Sequence, residues 1–148
     1  MQEKKMLIAS DHGGFKLKEI LKEYLKNKGY DVLDCGTDSE ESVNYPDYAA
    51  LLAQGIKMQQ AERGILICTS GIGMSIAANR YPFIRAALVH CVEEARLCRA
   101  HNDANVLVFG AKFIGADEAK KCVDKFLTTT FEGGRHCARV DALERMGK

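Results

Sequence analysis

The chain has 148 residues, 47% of them apolar and 28% charged, a length that suits one domain burying roughly 70% of the surface its unfolded form exposes. With 21 basic against 20 acidic side chains and a formal charge of +1, it offers no electrostatic case for nucleic acid or for an anionic membrane, so any anion binding has to be local. No apolar run approaches the ~20 residues of a bilayer span, and Met1-Gln2-Glu3-Lys4-Lys5 opens without the apolar stretch of a secretory leader; the expectation is a cytoplasmic protein whose six cysteines stay reduced.

The first apolar run, Met6-Leu7-Ile8-Ala9, reads as a strand. It passes into Ser10-Asp11-His12-Gly13-Gly14, a carboxylate and an imidazole on a turn loose enough for backbone to approach a ligand. The plain reading of Asp11 is a helix N-cap with His12 in solvent; its position at the C-terminal end of a strand makes it a candidate as well. Leu17, Leu21, Tyr24, Leu25 and Lys28 then recur at helical spacing over about 15 to 28, and Gly29 stands where a helix stops. Val32-Leu33 gives a second strand, and a helical pattern follows over about 47 to 60, with Pro46 at its start.

The third strand, Ile65-Leu66-Ile67, ends in Cys68 and an amide-rich turn, Thr69-Ser70-Gly71-Ile72-Gly73, ahead of a helix over about 74 to 80. Pro82 marks the next turn, Ala86-Ala87-Leu88-Val89 the fourth strand, and 92 to 100 a helix. A polar loop, Arg99-Ala100-His101-Asn102-Asp103-Ala104-Asn105, leads to the fifth strand, Val106-Leu107-Val108-Phe109. Helices over about 116 to 130 and 135 to 146 complete the chain.

Five strands separated by helices imply a parallel sheet, and right-handed crossovers make it a three-layer α/β/α sandwich with an added C-terminal helix. Such folds bind ligands in the loops leaving the C-terminal strand ends. No linker, repeat or low-complexity tract interrupts the pattern, so residues 1 to 148 are expected to form a single domain.

Cys68 is the thiol with a chemical setting, because the turn after it can supply N–H groups that hold negative charge on sulfur or on an oxyanion. Cys35, Cys91, Cys98, Cys122 and Cys137 have no such turn and read as inert. The glycines do not spell a nucleotide loop: Met74 follows Gly73 where a P-loop needs lysine, and Ile76 takes the place of the third dinucleotide glycine. His12, His90, His101 and His136 do not fall at zinc-ligand spacings, and Cys-x-x-Cys is absent, so neither a required metal nor a cofactor is expected. Arg135 and Arg139, four apart after Gly133-Gly134, share a helical face and read either as a phosphate clamp or as a solvated basic face with Glu132 and Asp141 as partners.

Taken together, Ser-Asp-His-Gly-Gly at 10 to 14, Asn-Tyr-Pro-Asp-Tyr-Ala at 44 to 49, the Cys68 turn through Ala-Ala-Asn at 77 to 79, His-Asn-Asp-Ala-Asn at 101 to 105 and Glu-Gly-Gly-Arg-His at 132 to 136 resemble the B-type ribose-5-phosphate isomerases over essentially the whole chain. The resemblance implies a Rossmann-like, metal-independent aldose-ketose isomerase of the pentose phosphate pathway. By it, His101 opens the furanose ring with help from Asp11, Cys68 moves the proton between C2 and C1, and Ser70 supports the base. Thr69, Gly71, Ile72 and Gly73 present N–H groups to the enediolate, and Tyr45 lies against the sugar. The phosphate falls to His12, Arg135 and Arg139, while His101, Asn102 and Lys112 reach in from the second subunit of a homodimer or tetramer. Lys112 stands where arginine is common and Thr69 where glycine is frequent; Met74 replaces the glutamate base of another branch, which leaves Cys68 as the base. Two other readings stand beside this one: an isomerase of a six-carbon sugar phosphate such as allose 6-phosphate, and a binding module that holds a sugar phosphate without chemistry.

Overall fold

The computed structural model describes residues 4–146. Strands β1 (Lys5–Ser10), β2 (Asp31–Asp34), β3 (Gly64–Cys68), β4 (Ala86–Leu88) and β5 (Val106–Gly110) alternate with helices α1 (Phe15–Asn27), α2 (Tyr45–Lys57), α3 (Ile72–Ala78), α4 (Val92–Ala100) and α5 (Ala116–Thr128), and α6 (Arg135–Arg145) follows. All pairings are parallel, in the order β2-β1-β3-β5-β4. This is the expected sandwich.

Both faces of the sheet are buried, which is why its strands read as continuous apolar runs rather than as alternating ones. Met6, Ile8, Ile65, Ile67, Leu107 and Phe109 meet Leu17, Leu21 and Leu25 of α1, Cys98 of α4 and Val123 and Phe126 of α5. On the other face Leu7, Ala9, Leu66, Cys68, Val106 and Val108 meet α2 and α3 through Ala49, Leu52, Ala53, Met74 and Ala78. Each fully buried Leu, Ile or Phe contributes about 1.5–3 kcal/mol. The final helix differs: α6 buries only His136 and Val140.

Helix ends lie within a few residues of expectation, α2 running from Tyr45 to Lys57 rather than over 47 to 60. Gly29 takes φ +90 after α1, as its stop position requires. α3 begins at Ile72 rather than near 74, because Gly71 at φ +79 turns the chain so sharply that Gly73 already lies in the first helical turn.

One polar interaction is built into the sandwich. Lys18 of α1 is fully buried, with its ammonium 2.6 Å from Asp34 Oδ2 at the end of β2 and 2.9 Å from Glu19 Oε2; Lys22 reaches the same Asp34 oxygen at 2.8 Å. Burial alone would raise the Asp34 carboxyl, but hydrogen bonds from Lys18, Lys22 and the Gly36 N–H outweigh it and hold the group below the usual carboxylate range. A depressed native value adds stability above the unfolded pKa and loses it as pH falls through the native one. Asp34→Asn is therefore expected to cost about 3 kcal/mol at neutral pH, because it removes the nearer of the two carboxylates that neutralise a buried ammonium, and to flatten the acid limb of the melting profile. Equal melting temperatures for the variant and the parent at pH 7 would refute this.

Candidate active site

β1 and β3 lie side by side, yet the chain leaves β1 toward the β2 edge and leaves β3 toward the β4 side. That divergence opens a crevice at their C-terminal ends, and Ser10–His12 and Cys68–Gly71 occupy it. Glycines let the chain segments around it approach closely. A Cβ on Gly13 would stand 2.0 Å from Thr69 Oγ1, one on Gly14 2.7 Å from the Ile67 carbonyl oxygen, and one on Gly110 2.3 Å from the Ser70 carbonyl oxygen.

Within this crevice the Gly71 N–H donates to Cys68 Sγ at 3.2 Å. An amide aimed at sulfur favours negative charge there. The thiol is more enclosed than one on an open loop, since Cys68 is only 5% exposed. The Ser70 Oγ accepts the Ile72 N–H at 3.2 Å, which ties the hydroxyl to the start of α3. Asp11 performs the capping role of the plain reading, with Oδ1 accepting from Gly13 and Gly14 N–H at 2.9 and 3.2 Å. His12 is half-buried, and its Nδ1 accepts the Val43 N–H at 3.1 Å. In the neutral ring that bond puts the proton on Nε2, leaving a donor suited to an anion. Tyr45, at the start of α2, lies over Gly73, where a Cβ would come within 2.5 Å of its Cζ. Lys112 joins the same group through its N–H to the Thr69 carbonyl at 2.9 Å.

His101 and Asn102 lie elsewhere. α4 runs back against the strands, so His101 follows its last turn just before β5 begins, with the Ala104 N–H on the Cys98 carbonyl and the Asn105 N–H on that of Arg85. The five residues of β5, at about 3.3 Å each, separate that edge from the level of Cys68. The C-terminal segment packs here too. The Glu132 N–H reaches the Ala100 carbonyl at 2.9 Å, Arg85 pairs with Glu144, and the His101 and His136 rings stack with centroids 4.3 Å apart.

Within one chain Arg135 and Arg139 stand at the start of α6 with His101 beside the end of α4, while the Lys112 N–H meets the Cys68 loop. Glu132 is not a partner for the arginines. Its carboxylate faces His101 and His136 at 3.7 and 3.6 Å, and among the described residues Arg135 and Arg139 are exposed without an ion pair. Burial, followed by the charges of His101 and Arg135, pushes the His136 imidazole below its ordinary range. Sequence reasoning passed over Val43 as the His12 partner and Gly110 as the floor under Ser70. The Gly at the end of an apolar strand was the available signal for the second; nothing in the letters pointed to the first.

Neither of two hollows in the surface contains Cys68. One of about 750 Å³ lies among Lys5, Tyr30, Gln60 and Arg63, and one of about 480 Å³ lies among Tyr81, Arg85, Asn102, Leu143 and Met146. Among the described residues no helix is long and apolar enough to cross a membrane, and all six cysteines are free thiols.

The model of the family described as Ribose/Galactose Isomerase matches residues 6–143. A ribose 5-phosphate isomerase from Thermotoga maritima superposes with a TM-score of 0.94 at 54% identity, covering 96% of this chain and 98% of that one. Ribose-5-phosphate isomerase B of Escherichia coli is 44% identical over 140 residues, 95% of this chain and 94% of its own length. The Mycoplasma genitalium ribose-5-phosphate isomerase B, solved with bound ribulose-5-phosphate, superposes with a TM-score of 0.92 at 41% identity, covering 98% of this chain and 97% of that one. With its fold and nearly its full length matched in this way, the chain belongs to the ribose/galactose isomerase family, among the B-type ribose-5-phosphate isomerases.

Proposed function

We propose that this chain interconverts D-ribose 5-phosphate and D-ribulose 5-phosphate through an enediolate, with Cys68 as the base. The observation that carries the reading is the Cys68 sulfur at the strand-end crevice with the Gly71 N–H aimed at it at 3.2 Å. In the furanose, His101 takes the proton from the anomeric hydroxyl as the C1–O4 bond breaks, and O4 leaves protonated, with Asp11 assisting. Cys68 thiolate then removes the proton from C2 of the open aldose, electron density moves onto O1, and return of that proton to C1 with rearrangement of the hydroxyl proton yields the ketose. Amide groups of the Thr69–Gly73 turn meet the charge on oxygen, an interaction stronger in the intermediate than in the neutral carbonyl.

The working unit in this reading is a homodimer or a larger even assembly, in which Cys68, Asp11, His12, Tyr45 and Lys112 of one protomer meet His101, Asn102, Arg135 and Arg139 of its partner. Two features support it. The two groups lie at opposite strand ends of one sheet, and apolar Ile72, Ile76 and Phe113 stand 56%, 60% and 59% exposed around the Cys68 loop, a surface suited to burial against a second copy. His12 Nε2–H and the two guanidiniums then converge on the phosphate. Free thiols throughout suit the reducing cytoplasm.

The test is a panel of pentose and hexose phosphates assayed on chelator-treated protein in deuterated water. The expected result is the highest kcat/KM for ribose 5-phosphate, with solvent deuterium entering at the transferred position. Preference for a six-carbon phosphate would replace the substrate, and binding without exchange or turnover would remove the isomerase reading.

A further inference from the structure

Away from the strand-end crevice, three metal-ligating atoms stand together beside the last turn of α4. Glu132 Oε1 lies 3.7 Å from His101 Nε2 and 3.6 Å from His136 Nε2, and ligating atoms of the three residues all fall within 4.8 Å of one another. These separations exceed hydrogen-bond distances, so no shared proton holds the carboxylate to either ring. His136 adds an independent observation. The residue is 7% exposed, yet its Nε2 is buried without a hydrogen-bond partner and faces the Glu132 oxygen. A buried polar atom left unpaired calls for a partner that the chain itself does not supply.

We propose that His101, Glu132 and His136 form a binding site for a divalent transition-metal ion of the zinc class, and that an ion held there inhibits the enzyme. Ligands bonded at about 2.0–2.2 Å around a tetrahedral ion stand roughly 3.4 Å apart, within a few tenths of an ångström of the two nitrogen–oxygen separations present before binding. Two imidazoles and one carboxylate select zinc, cobalt or nickel over magnesium or calcium, which take oxygen. Three protein ligands leave a fourth position for water.

The rings stack at 14° to one another, so their nitrogens lie side by side and one ring has to turn to complete the site. His136 is fixed by burial, whereas the His101 side chain is 35% exposed and has room to rotate. The ion therefore draws the His101 imidazole toward Glu132 and occupies the nitrogen that the proposed ring opening uses. Glu132 balances part of the ion's charge, and the exposed guanidiniums of Arg135 and Arg139 on the same helix oppose it, so a chelator is expected to strip the site readily. Inhibition rests on the role proposed for His101; metal binding does not.

The experiment titrates chelator-treated, full-length protein with Co²⁺ as the spectroscopic probe, followed by displacement with Zn²⁺. One ion per chain is expected, with visible ligand-field bands of a low-coordinate site and no thiolate charge-transfer band in the near ultraviolet. Glu132→Gln and His136→Asn are each expected to weaken binding by about tenfold or more, and Glu132, with its carboxylate exposed, can be replaced with little effect on the metal-free melting temperature. In wild type Zn²⁺ lowers turnover, and Glu132→Gln requires about tenfold more of it. Unchanged affinity in both variants, or a thiolate band that vanishes in Cys68→Ala, overturns the site. Retained binding with no effect of Zn²⁺ on turnover overturns the inhibition. The absorption readout holds whatever sugar phosphate the enzyme prefers.

Discussion

Replacing Cys68 with alanine is expected to lower kcat by about 10³-fold or more while leaving the dissociation constant for ribose 5-phosphate within a few-fold, the range set by losing a positioned general base. The expectation follows from position. Cys68 ends the central strand β3, its sulfur receives the Gly71 N–H at 3.2 Å, and Met74, in the first turn of α3, is fully buried and cannot accept a proton. The side chain lost is small and lies at the edge of the core, so folding should survive, and Cys68→Ser preserves the shape with a far weaker base. Isothermal titration with substrate, alongside stopped-time assays in deuterated water, separates binding from chemistry. Turnover near the parent rate in Cys68→Ala would show that some other group moves the proton.

The second large effect concerns two dead enzymes that recover by mixing. If His101 of one protomer completes the Cys68 site of its partner, then Cys68→Ala and His101→Asn proteins, each nearly inactive, should regain roughly a quarter of wild-type activity when unfolded together and refolded at equal amounts. Random pairing makes half of the dimers mixed, and each mixed dimer of a two-fold assembly carries one site with both residues intact. With His101 ahead of the start of β5 and Cys68 at the far strand end, any joint role calls for this arrangement. Separately folded variants mixed without exchange should show no recovery. Absence of recovery after co-refolding, with mixed dimers demonstrated by mass, would confine catalysis to one chain and remove His101 from it.

The sandwich was legible because both sheet faces are covered: Ile65-Leu66-Ile67 and Val106-Leu107-Val108-Phe109 have no polar alternation, and amphipathic segments of helical length separate them. Glycine hid one boundary. Gly73 reads as a helix breaker, but with Gly71 already in the left-handed region it sits inside the first turn of α3. The Cys68 and Asp11 loops were legible from their places after apolar runs, and the strand order then brought them together across the β1–β3 divergence. What the letters withheld was the company kept by distant segments. Nothing local indicates that Glu132 turns to two imidazoles and away from Arg135 and Arg139, or that Val43 fixes the His12 ring, because those contacts depend on how α6 and the loop before α2 fold back.

The contacts of Gly13, Gly14 and Gly110 with the Thr69, Ile67 and Ser70 positions bear on how selective the enzyme can be. Where main chain presses on main chain, as at Gly14 against the Ile67 carbonyl and Gly110 against Ser70, the wall has no rotamers to exchange and cannot widen for a longer sugar, whereas at Gly13 it is the Thr69 side chain that closes the gap. Tyr45, whose ring lies over Gly73 and is 39% exposed, is a large side chain there with room to move. Any change in accepted carbon-chain length within this scaffold should therefore arise from the start of α2, while the floor of the crevice stays the same across substrates.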